Sequence, residues 1–220
     1  LLGGGTNLTI ENNTIHNKTR MSITINFENS TIRFNTITNG SGTGSGSTGG
    51  VELFGKNNTI VNNTIRFNQL CGIYLAANNS IIANNTITNN TNNGICADYT
   101  SSGENTFNNT ISYNNISGNA VGINITDGYN RTVNNTIYNN HISDNTRNAR
   151  DNSTNPGNKW NISKTSRTSI IGTSYIGGNY WSDYIGVDAN DDNFGVTLLP
   201  HHLVGSISYG GDYLPLTTAN

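Results

Sequence analysis

The sequence predicts an all-β fold, a right-handed parallel β-helix (solenoid) with about 22 residues and three short strands per coil and an aromatic-rich C-terminal cap. The composition and the spacing of the aliphatic residues carry this prediction. Of the 220 residues, 43 are Asn, 29 Thr, 25 Gly and 25 Ile. Asn, Thr and Gly oppose helix interiors, and the good helix formers Ala, Glu, Lys and Met are scarce. The composition therefore excludes a helical domain and an ordinary α/β domain.

Isoleucines that are five residues apart recur along the first two thirds of the chain. The pairs are Ile10/Ile15, Ile32/Ile37, Ile60/Ile65, Ile82/Ile87, Ile111/Ile116 and Ile137/Ile142. A second apolar couplet follows each of the first five pairs: Ile23/Ile25, Val51/Leu53, Ile73/Leu75, Ile95/Ala97 and Ile123/Ile125. Successive pairs are 22, 28, 22, 29 and 26 residues apart. Such a unit, lengthened in places by loop residues, is typical of a repeat protein.

Each repeat reads as three short strands separated by Gly or Asn turns. One coil offers about four inward aliphatic side chains, each stabilising by about 1.5–3 kcal/mol on burial. Ordering about twenty residues costs at least about 1 kcal/mol apiece, so an isolated coil is unstable. Stacking in parallel gives every strand a partner above and below, with a right-handed crossover.

Asparagine occupies two columns of the repeat without interruption. Three residues before the first Ile of each pair stand Asn7, Asn29, Asn57, Asn79, Asn108 and Asn134, and three residues after it stand Asn13, Asn35, Asn63, Asn85, Asn114 and Asn140. Asn tolerates the left-handed backbone that a tight corner needs, and identical stacked amides can hydrogen-bond along a column. We therefore interpret both columns as structural, with a polar binding strip as the alternative.

The sequence contains seventeen Asn-x-Ser/Thr sequons. Because the Asn-Asn-Thr pattern of the repeat produces such sequons by itself, their number alone is weak evidence for N-glycosylation. The candidates for N-linked glycans are Asn12, Asn17, Asn39, Asn62, Asn84, Asn115, Asn124 and Asn161. Asn39 and Asn124 lie at or near loops and corners and are better candidates than ladder positions.

The two cysteines are predicted to stay apart. Strand alternation points Cys71 inward and Cys96 outward on the next coil, with an offset of three residues. This arrangement argues against an intrachain disulfide, whose Cα atoms must lie within about 7 Å. We interpret Cys71 as a small buried side chain of the core. Cys96 is expected to be a free thiol or to form a disulfide between molecules.

The outward columns predict no catalytic site. No two carboxylates occupy one outward position on neighbouring coils, as paired-acid glycoside hydrolysis requires. Glu11 and Arg33 read as an exposed ion pair, and His16 and His141 lie several coils apart without a base or a metal partner. We therefore expect no enzyme, with a polysaccharide lyase or hydrolase as the alternative. Two loop acids remain open, Asp98 and Glu104.

The charge and hydropathy patterns exclude two further classes. The chain has 11 basic and 13 acidic residues, a net charge of −2, which does not favour a nucleic-acid-binding surface. No apolar run approaches the roughly 18 residues that span a bilayer, and no signal peptide opens the chain. We expect neither a nucleic-acid partner nor a transmembrane segment in this span.

The composition changes beyond about residue 150, where most of the Trp and Tyr residues lie. We predict a solenoid over residues 1–178 and a capping segment over 179–220, in which aromatic side chains cover the last coil. Asp188, Asn190 and Asp192 alternate as oxygen donors and resemble the start of a calcium loop. The adjacent pair His201-His202 is a weaker metal candidate.

The Asn-Thr-Ile coils, the segment Gly-Gly-Asn-Tyr-Trp-Ser-Asp-Tyr at 177–184 and the sequence Asp-Tyr-Leu-Pro-Leu at 212–216 resemble the NosD-like (CASH-type) β-helix repeats. The resemblance covers essentially the whole chain and implies a surface or secreted protein of the archaeal type. The acidic turn departs from the family pattern, since Asn193 replaces Gly and Val196 replaces Asp. The single Met and the scattered His residues give no soft-ligand cluster for copper, so we do not expect the family's copper-related role.

The sequence begins in mid-repeat, so we expect either a piece of a longer protein or a first coil covered by another copy. Our main hypothesis is a secreted structural protein of the cell envelope or of an extracellular filament or sheath, self-associating and N-glycosylated. The alternative is a carbohydrate-binding or carbohydrate-processing β-helix. Its stacking residues would be Tyr74, Tyr99, Tyr113 and Tyr138.

Overall fold

The computed structural model describes residues 6–19, 22–41, 49–98, 105–126, 131–153, 157–202 and 206–218. Within these ranges the protein is all β, without a helix, and its parallel sheets stack as a solenoid. This arrangement confirms the predicted fold class. None of the described segments is a helix long and apolar enough to cross a membrane.

Six coils of three strands precede the cap. The first three contain β1 (Thr9–Glu11), β2 (Thr14–His16), β3 (Ile23–Glu28), β4 (Thr31–Arg33), β5 (Thr36–Thr38), β6 (Val51–Lys56), β7 (Thr59–Val61), β8 (Thr64–Arg66) and β9 (Cys71–Asn78). The next three contain β10 (Ile81–Ala83), β11 (Thr86–Thr88), β12 (Asn93–Ala97), β13 (Thr106–Phe107), β14 (Thr110–Ser112), β15 (Asn115–Ser117), β16 (Val121–Ile125), β17 (Thr132–Val133), β18 (Thr136–Tyr138), β19 (His141–Ser143) and β20 (Arg147–Asp151). The cap contributes β21 (Thr165–Ser166), β22 (Tyr175–Ile176) and β23 (Tyr180–Trp181).

The three sides of the coils form three parallel sheets. Sheet 1 has the order β1-β4-β7-β10-β14-β18, and sheet 2 has the order β2-β5-β8-β11-β15-β19-β23. Sheet 3 stacks β3, β6, β9, β12, β16 and β20, with β13 and β17 alongside the end of β9. The spacing between coils is roughly 26 residues, because loops lengthen the 22-residue unit.

The isoleucine pairs are in register throughout. The first Ile of each pair aligns through sheet 1 and the second through sheet 2, as Ile32 on Ile60 and Ile37 on Ile65 illustrate. From the second coil onward these side chains are 0–1% exposed. Because they fill the interior as stacked columns, the apolar core is one continuous rod along the axis.

Each corner of a coil pairs a left-handed residue with an inward polar residue that follows it. The column from Asn7 to Asn134 has φ between 51° and 64°, which confirms its predicted corner role. The column from Asn13 to Asn140 runs between sheets 1 and 2 and forms a hydrogen-bonded ladder, here called ladder 1. Its members are Asn13, Asn35, Asn63, Asn85, Asn114, Asn140 and Asn179.

Two further ladders follow the other two corners, and the sequence analysis missed both. Ladder 2 lies between sheets 2 and 3 and comprises Asn68, Asn90, Asn119 and Asn145. Ladder 3 lies between sheets 3 and 1 and comprises Ser30, Asn58, Ser80, Asn109, Asn135 and Asn158. A Ser replaces Asn twice in ladder 3, and its hydroxyl accepts the backbone N–H of the preceding coil.

All the ladders have the same polarity. The backbone N–H and the Nδ2 of Asn63 both donate to Oδ1 of Asn85 in the next coil, at 2.9 and 3.0 Å. Asn63 Nδ2 also donates to the backbone oxygen of Ile32 in the preceding coil, at 2.9 Å. The side-chain amide of Asn63 is thereby hydrogen-bonded to both neighbouring coils. In every ladder the N–H groups donate to the side-chain oxygen of the next coil, in the direction of the C-terminal end.

Cys71 and Cys96 form a disulfide, so the prediction that they stay apart is wrong. Their Cα atoms lie 6.1 Å apart, within the range that a bridge requires. Strand alternation misled because Cys71 is the first residue of β9 and follows Leu70, whose φ of 65° is left-handed. The alternation of an extended strand is not yet established there.

The cap closes the last coil with two buried indoles. Trp160 and Trp181 are 1% and 2% exposed, and their ring centroids lie 5.7 Å apart. Trp181 belongs to β23, which pairs with β19, so sheet 2 continues into the segment 179–220. The domain boundary itself stays a prediction.

Candidate functional site

Each ladder ends at an aspartate near the C-terminal cap. In ladder 1, Asn140 donates to Asn179, whose backbone N–H donates to Oδ2 of Asp212 at 2.7 Å. In ladder 3, Asn158 Nδ2 donates to Oδ2 of Asp151 at 3.3 Å. Because the polarity leaves N–H donors at this end, a carboxylate is the group that satisfies them.

Asp151 and Asp212 also hold the two indoles of the cap. Trp160 Nε1 donates to Asp151 at 3.3 Å, and Trp181 Nε1 donates to Asp212 at 2.8 Å. Burial raises the pKa of Asp212 to about 6, although hydrogen bonds from Asn179, Trp181 and other donors act in the opposite direction. These carboxylates therefore tie the ladders to the aromatic cover of the rod.

Ladder 2 ends less directly, at Asp183. Asn145 donates to Asn148, and Asn148 Nδ2 donates to Oδ1 of Asp183 at 2.8 Å. Nε2 of His201 lies 3.4 Å from the same oxygen, without hydrogen-bond geometry. Burial alone raises the pKa of Asp183, but the contacts with His201 and Asn148 lower it below its ordinary value.

A cleft of about 740 Å³ lies beside Asp183, between the last coil and the cap. Its polar wall includes Arg147, Asp183 and His201, and its apolar wall includes the side chains of Ile185 and Leu198. The lining is completed by Thr146, Tyr184, Leu199, Pro200, His202 and Ser206. Among the described residues, this is the place where charged, aromatic and exposed aliphatic side chains converge.

Close packing around Tyr184 holds one side of this cleft. Its hydroxyl donates to the backbone oxygen of Thr197, and its ring meets His201 edge-on at 5.3 Å. A Cβ at Gly186 or Gly195 would lie 2.1 or 2.0 Å from the Tyr184 hydroxyl oxygen. Both positions therefore require glycine.

The carboxylates of the predicted calcium loop already accept hydrogen bonds from protein donors. Asp188 is buried, and its carboxylate accepts the backbone N–H groups of Asp192 and Asn193 at 3.1 and 2.6 Å. Asp192 accepts Nζ of Lys164 at 2.8 Å, and Asn190 is exposed. The carboxylates thus have protein donors, and calcium binding stays a prediction.

The sequon residues are mostly on the surface. Asn12, Asn17, Asn39, Asn62 and Asn84 are exposed corner residues with φ between 54° and 58°, and in each Asn-Asn-Thr the following Asn is the ladder member. Asn115 is exposed, whereas Asn124 and Asn161 are half-buried. Occupancy of these sites by glycans stays a prediction.

The three predicted stacking tyrosines that the structure describes lie on different parts of the coil. Tyr74 lies in sheet 3, Tyr138 in sheet 1, and Tyr113 at a corner between sheets 1 and 2. Tyr99 and Glu104 lie outside the described residues. Asp98, the other loop acid, is half-buried.

The predicted pair of Glu11 and Arg33 is confirmed as an exposed ion pair. The other predicted polar residues stand apart from one another: His16 is exposed on β2, and the His141 ring stacks on Tyr180.

The first coil leaves a second cavity, of about 510 Å³, at the opposite end of the rod. Leu8, Ile10 and Ile15 line it, together with Asn13 of ladder 1. Oδ1 of Asn13 accepts no hydrogen bond from the described residues, whereas the later ladder members each accept two. Within the described part of the chain, the first coil therefore presents the Asn13 Oδ1 acceptor together with aliphatic side chains.

Stacked parallel coils, three polar ladders and a capped C-terminal end define a parallel β-helix repeat protein. The family model described as periplasmic copper-binding protein (NosD) matches residues 5–186, and the chain belongs to this family. No curated protein and no solved structure matched the chain.

The side chains of this chain do not fit a copper centre. Both cysteines are consumed by the disulfide, and the one methionine, Met21, lies outside the described ranges. His201 packs against Trp181 and Tyr184, while His202 is exposed. Across the parts of the chain that are described, no three His, Cys, Asp or Glu residues group to hold a metal ion.

Sequence reasoning missed the ladder ends because they join distant positions. Asp212 lies 33 residues from Asn179, and no local spacing marks the contact. One usable signal was present for two of them, since Asp151 follows Asn148 closely and Asp183 follows Trp181 in a chain with few charges.

Proposed function

We propose that the protein is a secreted structural protein of the cell envelope or of an extracellular filament or sheath. The observation that carries this proposal is the set of three buried ladders. Their side-chain amides hydrogen-bond neighbouring coils to one another. Buried networks that are fully hydrogen-bonded in this way make a rigid core. A rod of this kind suits a load-bearing or spacing role.

The disulfide supports a location outside the cytoplasm. Bridges such as Cys71–Cys96 persist in oxidising compartments and are rare in the cytosol. The family description as periplasmic points in the same direction. The exposed corner residues Asn12, Asn62 and Asn84 would carry N-linked glycans where the host attaches them.

Self-association belongs to the N-terminal end of the rod. Ile15 is only half-buried there, and Asn13 Oδ1 is available to a donor from a second copy. The C-terminal end is less suited, because Asp151 and Asp212 already satisfy the ladder donors and the indoles cover the core. The donor for Asn13 Oδ1 lies on a different surface of the second copy, and repeated contacts of this heterologous kind give a filament.

Light scattering over a concentration series tests the assembly. We expect the chain to associate, Ile15→Lys to shift it to monomer, and the matched control Thr38→Lys, on the outer face of β5, to leave association unchanged. A chain that stays monomeric at every concentration would contradict self-association. Fractionation of native cells tests the role, since recovery of the protein in the cytosol would contradict an envelope function.

A further inference from the structure

The cleft beside Asp183 has two unlike walls, and its aliphatic wall is unusually open. Ile185 is 82% exposed and Leu198 is 62% exposed, whereas the paired inward isoleucines of the rod are almost completely buried from the second coil onward. Clustered exposed aliphatic side chains mark binding surfaces more often than plain surface. A ligand that covers such side chains removes their apolar surface from water, and this favours binding.

The backbone at this wall is strained. Leu198 has φ of 53°, a left-handed conformation that a residue with a Cβ rarely adopts. Such outliers concentrate at ligand sites, where the surrounding structure holds them in place. Here the hydrogen bond of Val187 N–H to the Thr197 hydroxyl and the contact of Tyr184 with the Thr197 backbone hold the segment before Leu198.

The polar wall carries one guanidinium, that of Arg147, beside the carboxylate of Asp183. Asp183 is occupied by Asn148 and faces His201. The Arg147 side chain forms no ion pair or hydrogen bond with any described residue. A guanidinium without a partner beside an apolar wall is complementary to an anionic head group joined to a hydrocarbon chain.

We propose that this cleft binds an alkyl carboxylate, with the carboxylate on Arg147 and the chain against Ile185 and Leu198. The cleft volume of about 740 Å³ lies within the range of small-molecule sites. Arg147 and Ile185 lie within the matched residues 5–186 and Leu198 lies beyond them, so the cleft is formed jointly by the last coil and the cap.

Titration of the whole chain with sodium octanoate tests the site, followed by Trp fluorescence because the Trp181 ring lies 5.2 Å from His201. We expect saturable binding, roughly tenfold weaker for hexanoate because two methylenes are lost, and weaker binding of 1-octanol, which has no charge. No saturable change below the micellar concentration of octanoate would overturn the proposal, as would equal binding of 1-octanol.

Two matched pairs of variants locate the ligand. Arg147→Gln should weaken octanoate binding about tenfold and leave 1-octanol unchanged, while Arg150→Gln on the same strand should have no effect. Ile185→Ser should weaken both ligands, and Val196→Ser, which lies outside the cleft, should not. Equal behaviour of Arg147→Gln and Arg150→Gln would overturn the assignment.

Vesicles of neutral phosphatidylcholine test the other occupant that this wall could have. We expect no co-sedimentation of the chain with them. Co-sedimentation that Ile185→Ser abolishes, together with no octanoate binding, would show a lipid bilayer as the partner and overturn the proposal.

Discussion

The residue at each corner determines how much backbone strain the turn of the coil carries. Most left-handed corner positions hold Asn, but Phe34, Phe67 and Tyr113 adopt the same conformation with φ of 55–57°. A left-handed backbone costs an ordinary residue about 1–2 kcal/mol, and Asn tolerates it better. The aromatic corners are therefore local sites of strain.

Phe67→Asn should stabilise the protein. The Phe67 ring is 50% exposed and packs only loosely with Arg66, whose guanidinium lies 5.5 Å from its centroid, so relief of backbone strain should dominate. We expect a gain of about 1 kcal/mol in the free energy of unfolding, measured by urea denaturation. Phe67→Ala is the control, because it removes the ring and keeps the strain. A Phe67→Asn variant less stable than Phe67→Ala would contradict this explanation.

Asn85→Ala should destabilise the protein strongly. The change leaves the buried Asn63 N–H without its acceptor and removes the Nδ2 donor from the Ile60 carbonyl and from Asn114 Oδ1, which keeps only the backbone N–H of residue 85. At about 1–3 kcal/mol for each unsatisfied group, we expect a loss of about 3–5 kcal/mol in chemical unfolding. The neighbouring exposed corner offers the control, since Asn84→Gly should change stability by less than about 0.5 kcal/mol. Similar losses in the two variants would refute the separate roles.

At the scale of elements, the three sheets depend on one another through their corners. The disulfide adds a covalent link between neighbouring coils of sheet 3, joining β9 to β12. It closes a loop with a sequence separation of 25 residues.

Replacing both cysteines by serine should lower the free energy of unfolding by about 3 kcal/mol, because the bridge restricts the unfolded chain. Thermal unfolding with and without a reducing agent measures the effect. Reductant should lower the melting temperature of the wild type and leave that of the double variant unchanged. A wild type insensitive to complete reduction would show that the bridge contributes nothing.

The strands could be predicted from sequence because the pattern is local and repeated. The spacing of Ile32 and Ile60 is enough to predict their register, and the spacing of Asn35 and Asn63 predicts ladder 1 in the same way. Ladder 3 was missed because Ser30 and Ser80 interrupt its Asn pattern while supplying an equivalent acceptor. The cleft could not be predicted, since Arg147 and Leu198 meet only through the path of the cap.

At the scale of the whole molecule, the two ends of the rod are chemically different. The N-terminal coil offers acceptors and a shallow apolar cavity, while the other end gathers donors onto carboxylates. Stability of the capped end should therefore depend on the protonation of Asp212.

The free energy of unfolding should fall through Asp212 as the pH rises from about 4 to about 6. Its pKa is raised to about 6 in the folded protein from 3.8, so the folded state holds a proton that the unfolded chain has released. The effect is at most about 3 kcal/mol. Asp183 and Asp192, whose pKa values are lowered, act in the opposite direction, with stability lost as the pH falls.

Comparison with Asp212→Asn isolates this contribution. The stability of wild type minus that of the variant should decrease between pH 4 and pH 7 in urea titrations. A difference independent of pH would contradict the raised pKa.

The shared polarity of the ladders makes every internal coil interchangeable in one respect. A coil such as residues 57–78 accepts one backbone N–H from the coil before it at each of its three corners and offers one to the coil after it at the same corners. Tandem duplication of that stretch would therefore lengthen the rod by one strand spacing, about 4.8 Å, and create no unbonded amide. Gene duplication can therefore change the number of coils. The aspartates that end the ladders, in contrast, have no equivalent residue within the repeat. The length of the rod therefore depends on the number of coils that precede the cap.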